Sequence, residues 1–144
     1  MVLRARRCDP DDVPTRYLLV DDNGPFLEAS RRLLTGEGLN VVGTAGTAAE
    51  CLRLADELQP DVILVDVDLG ADSGLALAAR LAEGPASRPV IFMSARPAED
   101  YAELIARTDA LGFVAKRELS RGAIEAILEN SGPSAGRASA TSGT

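Results

Sequence analysis

The sequence predicts an α/β domain built on a doubly wound, five-stranded parallel sheet with helices on both faces. Three observations carry this. Five short apolar runs, Tyr17–Val20, Asn40–Gly43, Val62–Val65, Val90–Met93 and Gly112–Ala115, are nearly continuous rather than alternating, as strands buried on both faces must be. Each run is followed by a stretch with helical periodicity. Five such β-then-α units fit within residues 17–130, and right-handed crossovers place their helices on both faces of the sheet.

The elements follow in order. Behind the first run, Phe26, Leu27, Ser30, Leu33 and Leu34 recur at helical spacing, and the pattern stops near Gly36 and Gly38. After the second run, Thr47 with Glu50 three residues on forms a capping box ahead of Leu52, Ala55 and Leu58, and Pro60 follows the end. Ser73 caps a third helix carrying Leu75, Ala78, Ala79, Leu81 and Ala82, which stops at Gly84-Pro85. Pro97 suits the first turn of a fourth helix running through Leu104 and Ile105 to about Thr108. Ser120 or Glu118 opens the last helix, with Ala123, Ile124, Ile127 and Leu128 facing inward. Residues 1–16 read as a flexible N-terminal extension. Residues 131–144, rich in Ser, Gly and Ala and without periodicity, read as a disordered tail.

Composition bounds the function. The 144 residues are 46% hydrophobic and 26% charged, ordinary for a globular domain and unlike a fibrous or mainly disordered chain. No apolar run approaches the ~18–20 residues of a membrane span, and the N-terminus lacks the apolar stretch of a secretory signal, so a cytoplasmic protein without membrane contact is expected. The net charge is −7. Each end carries about one net positive charge, which leaves about −9 for residues 17–130 and argues against direct nucleic-acid binding by this chain. There is no histidine and no Cys-x-x-Cys pair, which disfavours zinc sites and Ser-His or Cys-His catalysis. The two cysteines, Cys8 and Cys51, fit a reducing compartment.

In an open parallel sheet, ligands bind beyond the carboxyl ends of the strands. Four of the five runs deliver a polar group there: Asp21-Asp22, Asp66, Ser94 and Lys116, the chain's single lysine. Each alone reads equally as a turn, a cap or loop polarity. Together they read as a site. Converging carboxylates repel one another, and a divalent cation resolves the repulsion. Oxygen ligands without His or Cys favour Mg²⁺. A cation, a lysine and a hydroxyl are the parts that stabilise a transferring phosphoryl group, and a carboxylate is then the natural nucleophile.

These residues resemble the receiver domain of bacterial two-component response regulators over residues 17–130. LLVDD is similar to that family's first strand and acidic pair, VILVDVDLGADSG to its phosphoacceptor strand and loop, VIFMSA to its hydroxyl strand and GFVAK to its aromatic-then-lysine strand. The resemblance implies a flavodoxin-like (βα)5 fold with strand order 2-1-3-4-5. It implies that Asp66 accepts a phosphoryl group from a histidine kinase or phosphotransfer protein. Asp21, Asp22, Asp66 and the backbone carbonyl of Asp68 would hold Mg²⁺, while Ser94 and Lys116 would bind phosphoryl oxygens. Ser94 and Phe113 would form a switch coupled to a partner surface on helix four, strand five and helix five, read by an output partner or a homodimer. Such a domain catalyses only its own phosphotransfer and dephosphorylation and is not an enzyme in the wider sense. Asp68 and Arg96 stand where the family tunes phosphoryl loss, and Tyr101 and Leu104 could belong to the core or the partner surface.

Two departures from the family pattern stand out. Gly70 replaces a common proline, and Arg117 follows the lysine where proline with a cis bond is usual, so a trans Lys116–Arg117 bond or an altered lysine loop is expected. Three alternatives compete. One is a pseudo-receiver that binds partners without phosphorylation. Another is a haloacid-dehalogenase-type Mg²⁺-dependent phosphatase, whose D-x-D motif Asp66-Val67-Asp68 resembles. The third is a flavin carrier, disfavoured by 3% aromatic content. The chain is expected to be a stand-alone receiver or one excised from a longer regulator.

Overall fold

The computed structural model describes residues 15–70, 72–83, 88–97, 99 and 102–130. The segments 1–14 and 131–144, with Cys8, and Tyr101 lie outside the described residues. Strands β1 (Arg16–Val20), β2 (Asn40–Ala45), β3 (Val62–Asp66), β4 (Val90–Ser94) and β5 (Gly112–Ala115) form one sheet. Its order is β2-β1-β3-β4-β5, all parallel. This is the expected order 2-1-3-4-5. The first strand already includes Arg16, the last residue of the expected extension.

Alternation along the strands builds two cores. Leu18, Val20, Ile63, Val65, Val90 and Phe92 point to one face, where Cys51, Ala55, Leu77, Ala78 and Leu81 meet them. Tyr17, Leu19, Val62, Leu64, Ile91 and Met93 point to the other, against Leu27, Leu34 and Ile124. Both faces are covered, so every residue of β3 and β4 is buried and the runs read as continuous apolar sequence. The Cys51 thiol is fully buried and free, and burial pushes its pKa up to about 12, so it is packing rather than chemistry.

Helices α1 (Gly24–Gly36) and α5 (Arg121–Asn130) lie on one face, α2 (Ala48–Leu58) and α3 (Gly74–Glu83) on the other. Their caps are side-chain oxygens. Asn23 Oδ1 accepts from the Phe26 N–H at 3.1 Å, with Pro25 in the first turn. Thr47 Oγ1 accepts from Glu50 N–H at 3.1 Å, while Glu50 Oε1 reaches back to the N–H of Gly46, one residue before the usual target of a capping box. Ser73 Oγ accepts from Ala76 N–H and Ser120 Oγ from Ala123 N–H, as expected.

Local details add to the expected pattern. Helix α4 is described over Ala102–Ala106, ending short of Thr108, and the residues that join Pro97 to it (98, 100 and 101) lie outside the described residues. Leu33 sits on the outer side of α1 and is 45% exposed, because Leu27 and Leu34 already fill the inner stripe. The loop after β3 is not plain coil: Asp68–Leu69 pairs antiparallel with Asp72–Ser73. Gly70 turns this ladder at φ +61°, and a Cβ there would stand 2.7 Å from Asp22 Oδ2. Proline, common at this place in the family the sequence resembles, is thus excluded here, since it cannot adopt a positive φ, which glycine takes freely.

Candidate functional site

The carboxyl ends of β1, β3, β4 and β5 meet at one edge of the sheet. Asp21, one residue past β1, is completely buried, and its N–H is tied to Ala45 O at 3.0 Å. Its Oδ1 accepts from the Asn23 N–H at 2.9 Å, which turns the chain into α1 and leaves Asp22 exposed. Asp66 ends β3 at 4% exposure, with Oδ1 accepting from the Asp68 N–H at 3.0 Å. Ser94 ends the neighbouring β4 at 1% exposure, and its Oγ accepts from the Arg96 N–H at 3.0 Å. Lys116 follows β5 and opens a 3₁₀ turn, Lys116–Glu118. Among the described residues no peptide bond is cis, so the Lys116–Arg117 bond is trans, as the missing proline leads one to expect.

The side chains converge. Lys116 Nζ donates to Asp66 Oδ2 at 3.1 Å and lies 2.5 Å from Asp21 Oδ2. Carboxylate oxygens of Asp21, Asp22 and Asp66 all lie within 4.8 Å of one another. One ammonium therefore faces three acids. Asp21 Oδ2 is buried against the Lys116 ammonium, so one cation serves two buried carboxylates. Asp21, with two further carboxylates at ligand spacing, makes an acidic cluster compatible with a hard divalent cation. The Asp68 side chain is exposed, and its backbone N–H reaches Asp66. Phe113 is half-buried in the edge strand and shares a cleft of about 770 Å³ with Ser94, Lys116 and Phe26.

The electrostatics follow from this crowding. Burial pushes the Asp66 carboxyl up to about 6, helped by the Asp21 charge, against the Asp68 N–H and Lys116, which pull it down. Burial lowers the Lys116 ammonium, but the hydrogen bonds and charges of Asp21 and Asp66 outweigh it and hold it above the ordinary lysine value. The native state thus holds a proton on Asp66 in a window, from near 4 to near 6, where the unfolded chain has lost it. Stability falls as pH rises through that window. Asp66→Asn is accordingly expected to melt higher than wild type at pH 7.5 without divalent cation, by on the order of 1–3 kcal/mol. The gap should close by pH 4. Paired thermal melts at the two pH values check it, and a wild type that is the more stable at pH 7.5 would contradict it.

Two contributors are not visible as site residues in the sequence. Gly74, at the start of α3, packs its Cα against the Asp66 carbonyl and donates its N–H to Val67 O at 2.9 Å. Phe26 places its ring centroid 4.6 Å from Lys116 Nζ. The first reads in sequence as a helix start, the second as a core residue of α1. Long-range packing adds a place at the site to each.

Comparison with known proteins agrees with the geometry. Residues 17–129 match the family described as response regulator receiver domain. The positive alginate biosynthesis regulatory protein of Pseudomonas aeruginosa is 34% identical over 118 residues, covering 81% of this chain and 47% of that protein. Response regulator GacA of the same organism is 31% identical over 102 residues, covering 70% of this chain and 48% of GacA. The chain spans about half the length of these curated relatives. A two-component response regulator of the LuxR family from Aurantimonas superposes with a TM-score of 0.72 at 28% identity, covering 82% of this chain and 87% of that one. The buried aspartate at the end of β3, the acidic pair after β1 and the lysine after β5 thus sit on the frame shared with these relatives, and the chain belongs to the response regulator receiver domain family.

Proposed function

We propose that this domain accepts a phosphoryl group on Asp66 from a histidine kinase or phosphotransfer protein, with Mg²⁺ as cofactor, and thereby switches a partner-binding surface. The observation that carries this is the ion-paired cluster: Lys116 between buried Asp21 and Asp66, with the Asp22 carboxylate at ligand spacing from both. Asp21, Asp22, Asp66 and the Asp68 carbonyl would hold the metal. Bound there, Mg²⁺ supplies the positive charge that offsets the charge on the phosphoryl oxygens.

The chain's own residues do the rest. With its pKa near 6, Asp66 is mostly ionised at neutral pH and can attack phosphorus. A P–O bond to Asp66 forms as the donor's P–N bond breaks, and the histidine nitrogen leaves with the electron pair. Lys116 exchanges a carboxylate contact for a phosphoryl oxygen. Ser94 gives up the Arg96 N–H and donates its hydroxyl to another oxygen. Drawing Ser94 and its loop inward changes the cleft it shares with Phe113, which biases the surface formed by α4, β5 and α5. An output partner or a second copy reads that surface. No other substrate is turned over. Among the described residues no helix is long and apolar enough to cross a membrane, and a cytoplasmic setting suits a phosphohistidine donor.

Intact-mass spectrometry tests the reading, using a small phosphodonor with and without Mg²⁺ on wild type and Asp66→Asn. One phosphoryl adduct that needs both Mg²⁺ and Asp66 is expected. If neither that donor nor a phosphorylated histidine protein labels the folded domain, it is a phosphorylation-independent binding module. Steady hydrolysis of a phosphate monoester would instead identify a phosphatase.

A further inference from the structure

Asp21, Asn23, Phe26, Lys116 and Asp66 form a closed circuit of contacts. Asp21 Oδ1 accepts from the Asn23 N–H at 2.9 Å, and Asn23 Oδ1 accepts from the Phe26 N–H at 3.1 Å. The Phe26 ring lies over Lys116 Nζ, 4.6 Å from centroid to nitrogen. Nζ then meets Asp66 Oδ2 at 3.1 Å and returns to Asp21 Oδ2 at 2.5 Å. The turn that presents the acidic pair therefore also sets the aromatic ring against the lysine. Pro25, beside Phe26 in the first turn, has its φ fixed by its own ring, which stiffens this entry into the helix.

We infer that Phe26 is a positioning residue for phosphoryl transfer, holding the Lys116 ammonium over the reacting carboxylate through a cation–π contact. The inference rests on the phosphoacceptor reading above. A ring face carries negative electrostatic potential without a formal charge. It can therefore anchor an ammonium without adding a fourth acid to the cluster, and without competing for the oxygens that lysine must reach. The Lys116 side chain is only 15% exposed, and desolvation strengthens such a contact. Phe26 is half-buried: it packs against the core on the α1 and α5 face and also lines the cleft with Ser94 and Lys116, so its ring meets both the core and the ammonium.

The test separates ring electrostatics from ring volume. Mono-, di- and trifluorinated phenylalanine at position 26 progressively cancel the negative face with little change of shape. The rate of Asp66 adduct formation from a small phosphodonor at saturating Mg²⁺ should fall stepwise, by about three- to tenfold over the series. Melting temperatures should stay level, and Phe26→Tyr should keep the wild-type rate. Because the chain has one lysine, carbon-13 labelling of lysine gives a resolved Lys116 side-chain signal for the folded domain without any donor. Its ring-shifted ε-protons should move toward the free-lysine position in Phe26→Leu and remain in Phe26→Tyr. Equal rates across the fluorinated series, or lysine protons unmoved by Phe26→Leu, would overturn the inference. If wild type forms no adduct, the phosphoacceptor reading fails on its own, and the lysine protons still decide whether Phe26 holds Lys116.

Discussion

Gly74→Ala is expected to lower stability by about 3 kcal/mol, roughly 10 °C in melting temperature for a domain of this size. It should also slow formation of the Asp66 adduct by about a hundredfold. The cause is backbone contact. A Cβ at Gly74 would overlap the Asp66 carbonyl oxygen and stand 2.9 Å from both the Asp66 carbonyl carbon and the Val67 Cα. None of these atoms is the end of a flexible side chain, so either α3 or the end of β3 must move. The second movement displaces the phosphoacceptor itself, and a shift of about 1 Å at a reacting group is costly. Gly122→Ala is the control. Its Cβ would find only Ser120 Oγ at 3.9 Å, and alanine favours a helix, so a gain of up to about 1 kcal/mol is expected. Thermal melts and intact-mass time courses on the two variants check both expectations. A Gly74→Ala variant that melts and labels like wild type would refute the contact.

Lys116→Met should remove the cation that pairs with Asp21 and Asp66 while keeping an unbranched side chain of similar reach. At pH 8 the expected cost is about 3 kcal/mol, because Asp21 and Asp66 are then buried together without a positive partner. The sign with pH is fixed by linkage. Burial already raises the Asp66 carboxyl, and loss of the lysine removes a group that pulls it down, so the cost shrinks as pH falls toward 5 and Asp66 protonates. Mg²⁺ should stabilise the variant more than it stabilises wild type, since it replaces a lost charge rather than competing with one. Adduct formation should still fall at least about a hundredfold, because a metal at the acidic pair does not stand in for the lysine at a phosphoryl oxygen. Melts at pH 5 and pH 8, with and without Mg²⁺, separate these effects. An equal loss at both pH values would mean that Lys116 serves packing rather than charge.

Much of this was legible in the chain. Burial on both faces leaves strands as continuous apolar runs, so β1 to β5 are readable to within two residues at each end. Side-chain caps announce themselves because Thr47, Ser73 and Ser120 satisfy N–H groups only three residues away. The convergence of Asp21, Asp22, Asp66, Ser94 and Lys116 follows from parallel topology, which sends every strand's carboxyl end to one edge. Short helices are harder. α4 spans five described residues, too few for periodicity to bound it. Leu33 was misplaced because a stripe of apolar residues does not say which of them lies at its margin.

By itself, then, the sequence determined the class of fold, the order of its elements and the acidic, hydroxyl and ammonium groups at the strand ends, because each depends on local pattern and on connection rules that hold for any parallel sheet. Tertiary structure alone decided that Lys116 bridges buried Asp21 and Asp66, that Phe26 covers the ammonium, that Gly70 turns at a positive φ, and that Gly74 is held to glycine by the Asp66 carbonyl. All but the Gly70 turn are distances between residues far apart in the chain. They depend on register and on how closely one backbone approaches another, and no periodicity in a linear sequence records either.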